Sequence, residues 1–247
     1  MLLARLLLAL PPVALLSVFV VLLTSNNDSY ASDFDYKLTA TEVKPDVYVV
    51  GGVAGDLTFK NGGNILNTGF IVADGGVIVV DVGPSRLYGE QLHALIKNTT
   101  DKPVVQVYIT HQHPDHFFGL QAFDGVETSA LAGTISDLKL LAGDYSDNMY
   151  RLIGNAMLGT EIVLPKSEVL AGEVEIGGRD IELLSLGGHT ATDLAVFDKT
   201  SGCYLPAIWC FIKERRARPV RISLSGSSRL PDSSRYRSAS WCRGMAQ

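Results

Sequence analysis

Six consecutive residues, His111-Gln112-His113-Pro114-Asp115-His116, carry four metal-binding side chains and follow directly on an apolar run, Val104 to Thr110. Imidazole and carboxylate groups cost several kcal/mol to bury without a partner, so a strand end that collects three histidines and an aspartate needs compensation. A divalent cation supplies it. The apolar run reads as a buried strand, which places the cluster on the loop leaving its carboxyl end, where α/β proteins put their sites. Mixed nitrogen and oxygen donors suit zinc, with iron and manganese as alternatives, and a site not closed by four protein ligands keeps a position for water.

A chain of 247 residues with 47% apolar content can bury a real core, as one large domain or two small ones. Its net charge of -5 conceals two unlike parts. Met1 to Ile212 carries 12 Lys and Arg against 24 Asp and Glu, whereas Lys213 to Gln247 carries 9 against 2. The acidic part disfavours nucleic acid as a partner. No cysteine precedes Cys203, so the folded part needs no disulfide and its site uses no thiolate.

Leu6 to Leu23 is almost uninterruptedly apolar behind a lone Arg5, and Ser29-Tyr30-Ala31 offers small residues for a cleavage site before Ser32. This pattern predicts a secretory signal peptide and an exported, periplasmic product. The alternative is an uncleaved membrane anchor, since 18 positions approach the ~20 needed to span a bilayer. The expected organisation is therefore a leader over residues 1–31, a domain over 32–202, and a disordered, basic Ser/Arg-rich tail over 203–247.

Strand-like alternation covers Lys37 to Val50 around a turn at Lys44-Pro45-Asp46, and Gly51 to Asn64 reads as a hairpin or flap. Strands are expected at Ile65 to Ala73 and Gly76 to Val82, and a helix from Ser85 to Asn98. One or two helices are expected over Gly133 to Gly154. Short strands follow at Ile162 to Leu164, Val169 to Ile176, Asp180 to Leu186 and Asp193 to Asp198. The third of these ends at Gly187-Gly188-His189-Thr190, so a histidine again sits where a strand stops. Strands interleaved with helices argue for an α/β protein with helix-covered sheets.

The pattern His111-x-His113-x-Asp115-His116, with the later Gly188-His189-Thr190 and with Val79-Val80-Asp81-Val82-Gly83, resembles the metallo-β-lactamase superfamily over roughly Leu38 to Gly202. Asn61-Gly62-Gly63-Asn64, Pro84-Ser85-Arg86, Tyr88-Gly89 and Asp101-Lys102-Pro103-Val104 look closest to one branch, the quinoprotein relay system zinc metallohydrolases. The resemblance implies an αββα sandwich with metals at one edge between two sheets. It implies that His111, His113 and His189 hold a first zinc, and that Asp115 and His116 begin a second site. Asp115 would also orient the attacking water, and Asp81 would steer a ligand imidazole from outside. The implied activity is attack by metal-activated water on a small-molecule carbonyl or ester, such as a β-lactam, lactone or thioester. An iron-dependent redox enzyme on the same scaffold, or a catalytically impaired metal-binding product, are the alternatives.

After Asp198 the chain departs from that pattern. The resemblance calls for an Ala-Gly-Asp segment, whose aspartate bridges both metals, and for one more histidine; here the chain reads Leu205-Pro206-Ala207-Ile208-Trp209-Cys210-Phe211. One shifted reading frame of codons for Pro206 to Ala217 can spell Ala-Gly-Asp-Leu-Val-Phe-His-Gln-Arg-Ala. This predicts a frameshift close to Cys203, in the gene or in its sequencing, with two zinc ions in a complete homologue and one here; a natural basic tail is the alternative. Among the other residues, His93 reads as a plain helix residue, Asp193 as a turn or cap, and Gly62-Gly63 as a hairpin rather than a phosphate cradle.

Overall fold

The computed structural model describes residues 34–206. The expected signal or anchor and the residues after Pro206 lie outside the described part. Among the described residues eleven strands form two sheets. The first opens with β1 (Ala40–Lys44) and β2 (Val47–Val50), which turn at Pro45-Asp46 as the proline and the left-handed Asp46 require. It continues through β3 (Thr68–Ala73) and β4 (Gly76–Val80), then in parallel through β5 (Val104–Tyr108), β6 (Glu127–Leu131) and β7 (Ser167–Val169). The second sheet runs in the order β11 (Cys203–Pro206), β10 (Asp193–Asp198), β9 (Arg179–Leu186), β8 (Gly172–Ile176), all antiparallel.

Helices cover the outer face of the first sheet. α1 (Arg86–Thr99) begins where Ser85 accepts a hydrogen bond from the Tyr88 amide, and it buries Tyr88, Leu92 and Ile96. α2 (Pro114–Phe117) is one turn that starts at its proline, and α3 (Ala132–Ile153) is a single helix that follows β6 without a loop. One core lies between these helices and the first sheet, around Phe70, Val79, Tyr88, Val107, Phe117 and Leu138. A second lies between the sheets, around Ile71, Ile78, Tyr108, Ile181, Val196 and Leu205. Among the described residues no helix covers the outer face of the second sheet, and none is long and apolar enough to cross a membrane.

Several expectations are corrected. The single strand expected over Val169 to Ile176 is two, because the chain leaves the first sheet after β7 and enters the second at β8. Ile162 to Leu164 pairs with no strand; Val163 and Leu164 pack on the helix-side core while Ile162 stays 46% exposed. Gly51 to Asn64 holds no strand either, being a turn folded around the Asn61 side chain, which bonds the Thr58 and Gly63 amides. Pairing reaches past Gly202, so Cys203–Pro206, expected to open the tail, is an ordered strand.

Candidate metal centre

The first sheet delivers two carboxyl ends to one place. β4 stops at Val80 and Asp81 follows in the left-handed region, φ 59°, where a short polar side chain costs least. The Asp81 amide donates to the Tyr108 carbonyl at the end of β5, and two residues further on Thr110 commits all its polar atoms to neighbours. Its N–H donates to Asp81 Oδ1 at 2.8 Å, its carbonyl accepts from the Leu194 N–H at 2.8 Å, and its hydroxyl contacts both Asp81 oxygens at 3.0 and 2.8 Å. A carboxylate only accepts, so the Thr110 O–H donates to Asp81 and its lone pair accepts from His111 Nδ1–H at 3.0 Å. That fixes the tautomer. His111 Nε2 is left with a bare lone pair.

Three imidazole nitrogens then meet. His111 Nε2 lies 2.9 Å from His113 Nδ1, His113 Nδ1 lies 3.0 Å from His189 Nε2, and His189 Nε2 lies 3.1 Å from His111 Nε2. The rings stand nearly perpendicular, at 77 to 86°. Such a triangle cannot be satisfied by hydrogen bonds alone. Each nitrogen is either donor or acceptor, so around three corners at least one pair must set like against like. A cation resolves the conflict, and the spacings lie just under the roughly 3.3 Å edge expected of a tetrahedral zinc with Zn–N of about 2.0–2.1 Å. Burial, and then the facing imidazoles, hold His111 well below its ordinary pKa. Burial, then His189, lowers His113, with Asp115 and Asp193 partly opposing. Both are neutral near pH 7, as ligation requires.

His189 arrives from the second sheet, at the loop between β9 and β10, where Gly188 adopts φ 145°. Asp193, 3% exposed, brackets that loop: Oδ2 accepts from the His189 amide at 3.0 Å, and Oδ1 from the Thr190 amide at 3.1 Å and hydroxyl at 2.7 Å. The turn role read from its sequence position is what the geometry shows. Asp115 and His116 stand beside the triangle, His116 at 4.1 Å from His111 between ring centroids. His116 Nδ1–H donates to Asp81 Oδ2 at 2.8 Å, which leaves Nε2 facing Asp115 Oδ2 at 3.5 Å. Desolvation works against a charge on His116, yet Asp81 first, then Asp115 and Asp193, push it up to about 9. His93 is elsewhere, its Nδ1–H on the Ala122 carbonyl and its ring stacked on Phe123. A shallow depression lined by Val49, Asn67, Thr68, Gly69, Val80, Asp81 and Leu205 reaches Asp81 but none of the three imidazoles. Thr110 was not singled out in the sequence; its only local signal is its place directly before His111.

A profile of the metallo-beta-lactamase superfamily matches residues 61–205, more than half of the chain. The chain belongs to the metallo-beta-lactamase superfamily. Among solved structures, a metallo-beta-lactamase from Pontibacter korlensis is 20% identical, with a TM-score of 0.52 over 68% of this chain and 69% of that one. A stereoselective inverting sec-alkylsulfatase from Pseudomonas sp. is 17% identical, with a TM-score of 0.52 over 68% of this chain and 30% of that one. These likenesses establish the metallo-beta-lactamase fold. A stretch of 53 residues is 40% identical to a linear primary-alkylsulfatase of a Pseudomonas strain, covering 22% of this chain and 10% of the relative. The chain thus matches only a tenth of that relative's length. Within this superfamily's fold, His111, His113 and His189 form a group whose donor atoms are close enough to hold one metal ion.

Proposed function

We propose that this chain is an exported zinc-dependent hydrolase of small molecules, with the ion held by His111, His113 and His189. The observation that carries the reading is the closed triangle of ring nitrogens, which hydrogen bonds leave frustrated and a cation satisfies. A bound divalent ion supplies Lewis acidity for a carbonyl or ester oxygen and acidifies water at neutral pH. The protein does the rest. Thr110 and Asp81 hold the His111 tautomer, and Asp115, at the start of α2, accepts the proton of the attacking water and returns it to the leaving group. His116 Nε2 and Asp115 are two of the donors a second ion would use.

The substrate is an ester-like small molecule: a β-lactam, lactone, thioester or carboxylic ester. A second reading, hydrolysis of alkyl sulfate esters, is favoured by the 40% identical stretch shared with the alkylsulfatase. Both are tested on the purified full chain with a panel of these five substrate classes, before and after chelation and zinc restoration. Turnover abolished by chelation, restored by zinc and absent from His189→Ala is expected. Zinc-loaded, folded protein that turns over none of the panel refutes the hydrolase reading.

A further inference from the structure

The imidazole triangle spans both sheets: His111 and His113 belong to the loop after β5, whereas His189 belongs to the loop between β9 and β10. Its spacing therefore depends on whatever fixes that second loop against the first sheet. One tie is the Leu194 N–H to Thr110 carbonyl bond. Another is made by the first turn of α3, whose start is rigidly placed because β6 runs into it without a loop and Ile135 and Leu138 anchor it in the core.

We propose that Gly133 and Thr134 are positioning residues that set the place of the His189 ring by docking the start of α3 on Thr192, a reading that rests on the three-histidine metal centre proposed above. At Gly133 there is no space for a side chain. A Cβ there would lie 2.3 Å from Thr192 Oγ1 and 3.1 Å from both Thr192 Cβ and Cγ2. Turning the threonine so that Hβ faces the added methyl removes the Oγ1 clash but leaves Thr192 Cβ itself at 3.1 Å, so Thr192 must both change rotamer and give by a few tenths of an ångström. Beside this contact the buried Thr134 hydroxyl donates to the Thr192 carbonyl at 3.2 Å. From Thr192 the path to the ligand is short. The Thr192 amide donates to Thr190 Oγ1 at 3.2 Å, the Thr190 hydroxyl donates to Asp193 Oδ1, and Asp193 Oδ2 holds the His189 amide. A push at Thr192 therefore reaches the backbone that carries the ligand, through partners that cannot all be kept if one moves.

The test is zinc affinity of the full-length protein, measured by competition with a chromophoric chelator, for Gly133→Ala, Thr192→Ala and the double variant. Gly133→Ala is expected to bind zinc about 10–100-fold more weakly, as losses of outer support do at metal centres. The double variant, from which Oγ1 and Cγ2 are gone, is expected to return to within about 3-fold of wild type by the same scale. Alanine is a better helix former than glycine, so metal-free Gly133→Ala is expected to unfold no earlier than a few degrees below wild type. Visible spectra of the cobalt-loaded variants add a second readout, with loss of four-coordinate intensity in Gly133→Ala and its recovery in the double variant. Wild-type zinc affinity in Gly133→Ala, or a double variant as weak as the single, overturns this inference while leaving the metal centre intact. A folded wild type that binds no zinc refutes the centre, and this inference with it.

Discussion

Replacing Asp81 by alanine should destabilise the fold as well as the site, and the cost can be built from its contacts. The side chain is 1% exposed and accepts from the Thr110 amide, the Thr110 hydroxyl and His116 Nδ1. The hydroxyl still has His111 as a neighbour, so its loss is partial. The Thr110 amide and His116 lose their partner outright while remaining 0% and 5% exposed. Two buried hydrogen bonds to a charged group, at about 1.5–3 kcal/mol each, give about 3–6 kcal/mol. Alanine at a left-handed position adds roughly 1–2 kcal/mol. Asp81→Asn tolerates the same backbone and keeps an acceptor for the Thr110 amide, so it should lose about half as much. Urea unfolding of the metal-free proteins at pH 7 measures both. Asp81→Ala within about 1 kcal/mol of wild type, or no milder effect in Asp81→Asn, would show that this carboxylate does not carry the junction described.

Three further outcomes are expected. Asp198 is fully buried and holds Arg179 through bonds of 3.0 and 2.7 Å, and Arg179 reaches across to the Pro45 carbonyl of the first sheet. Asp198→Ala leaves that guanidinium with only the more distant, exposed Asp46 carboxylate at 3.7 Å and should cost about 3–5 kcal/mol, lowering the thermal midpoint by about 6–20 °C in a scanning calorimeter. Burial raises Tyr108 from 10.0 to about 12, so the folded state keeps a proton that the unfolded chain loses above pH 10. This contribution is present below pH 10 and is lost as pH rises to about 12; Tyr36, raised by burial in spite of its Ser85 bond, acts in the same direction. Denaturant midpoints should therefore fall between pH 10 and 12, and Tyr108→Phe should flatten the fall. Thr110→Val removes the hydroxyl that fixes the His111 tautomer and should weaken zinc binding about 10–100-fold in chelator competition, with the Asp81 to Thr110 amide bond retained.

What the sequence reveals here is what it encodes locally. The helix read over Ser85 to Asn98 and the strand feeding the histidine cluster are each encoded within a few residues, and the structure has them at Arg86–Thr99 and Val104–Tyr108. Convergence of His189 on His111 and His113 was legible only through resemblance, because 76 residues separate it from His113. β6 went unseen because Glu-Thr-Ser-Ala-Leu lacks apolar alternation, although four of its five residues are buried between parallel neighbours. The step from β7 to β8 was hidden for the opposite reason. Val169 to Ile176 keeps a strand-like pattern across Leu170-Ala171, and no local pattern states which sheet each half will join. Thr110 and Gly133 matter through partners 29 and 59 residues away in sequence, so neither has a signature of its own.

X-ray absorption at the zinc edge of the loaded full-length protein tests the central claim most directly. Three imidazole nitrogens at about 2.0–2.1 Å, falling to two in His189→Ala, is the expected result. Fewer than three imidazoles in wild type, or a spectrum unchanged by His189→Ala, would contradict it.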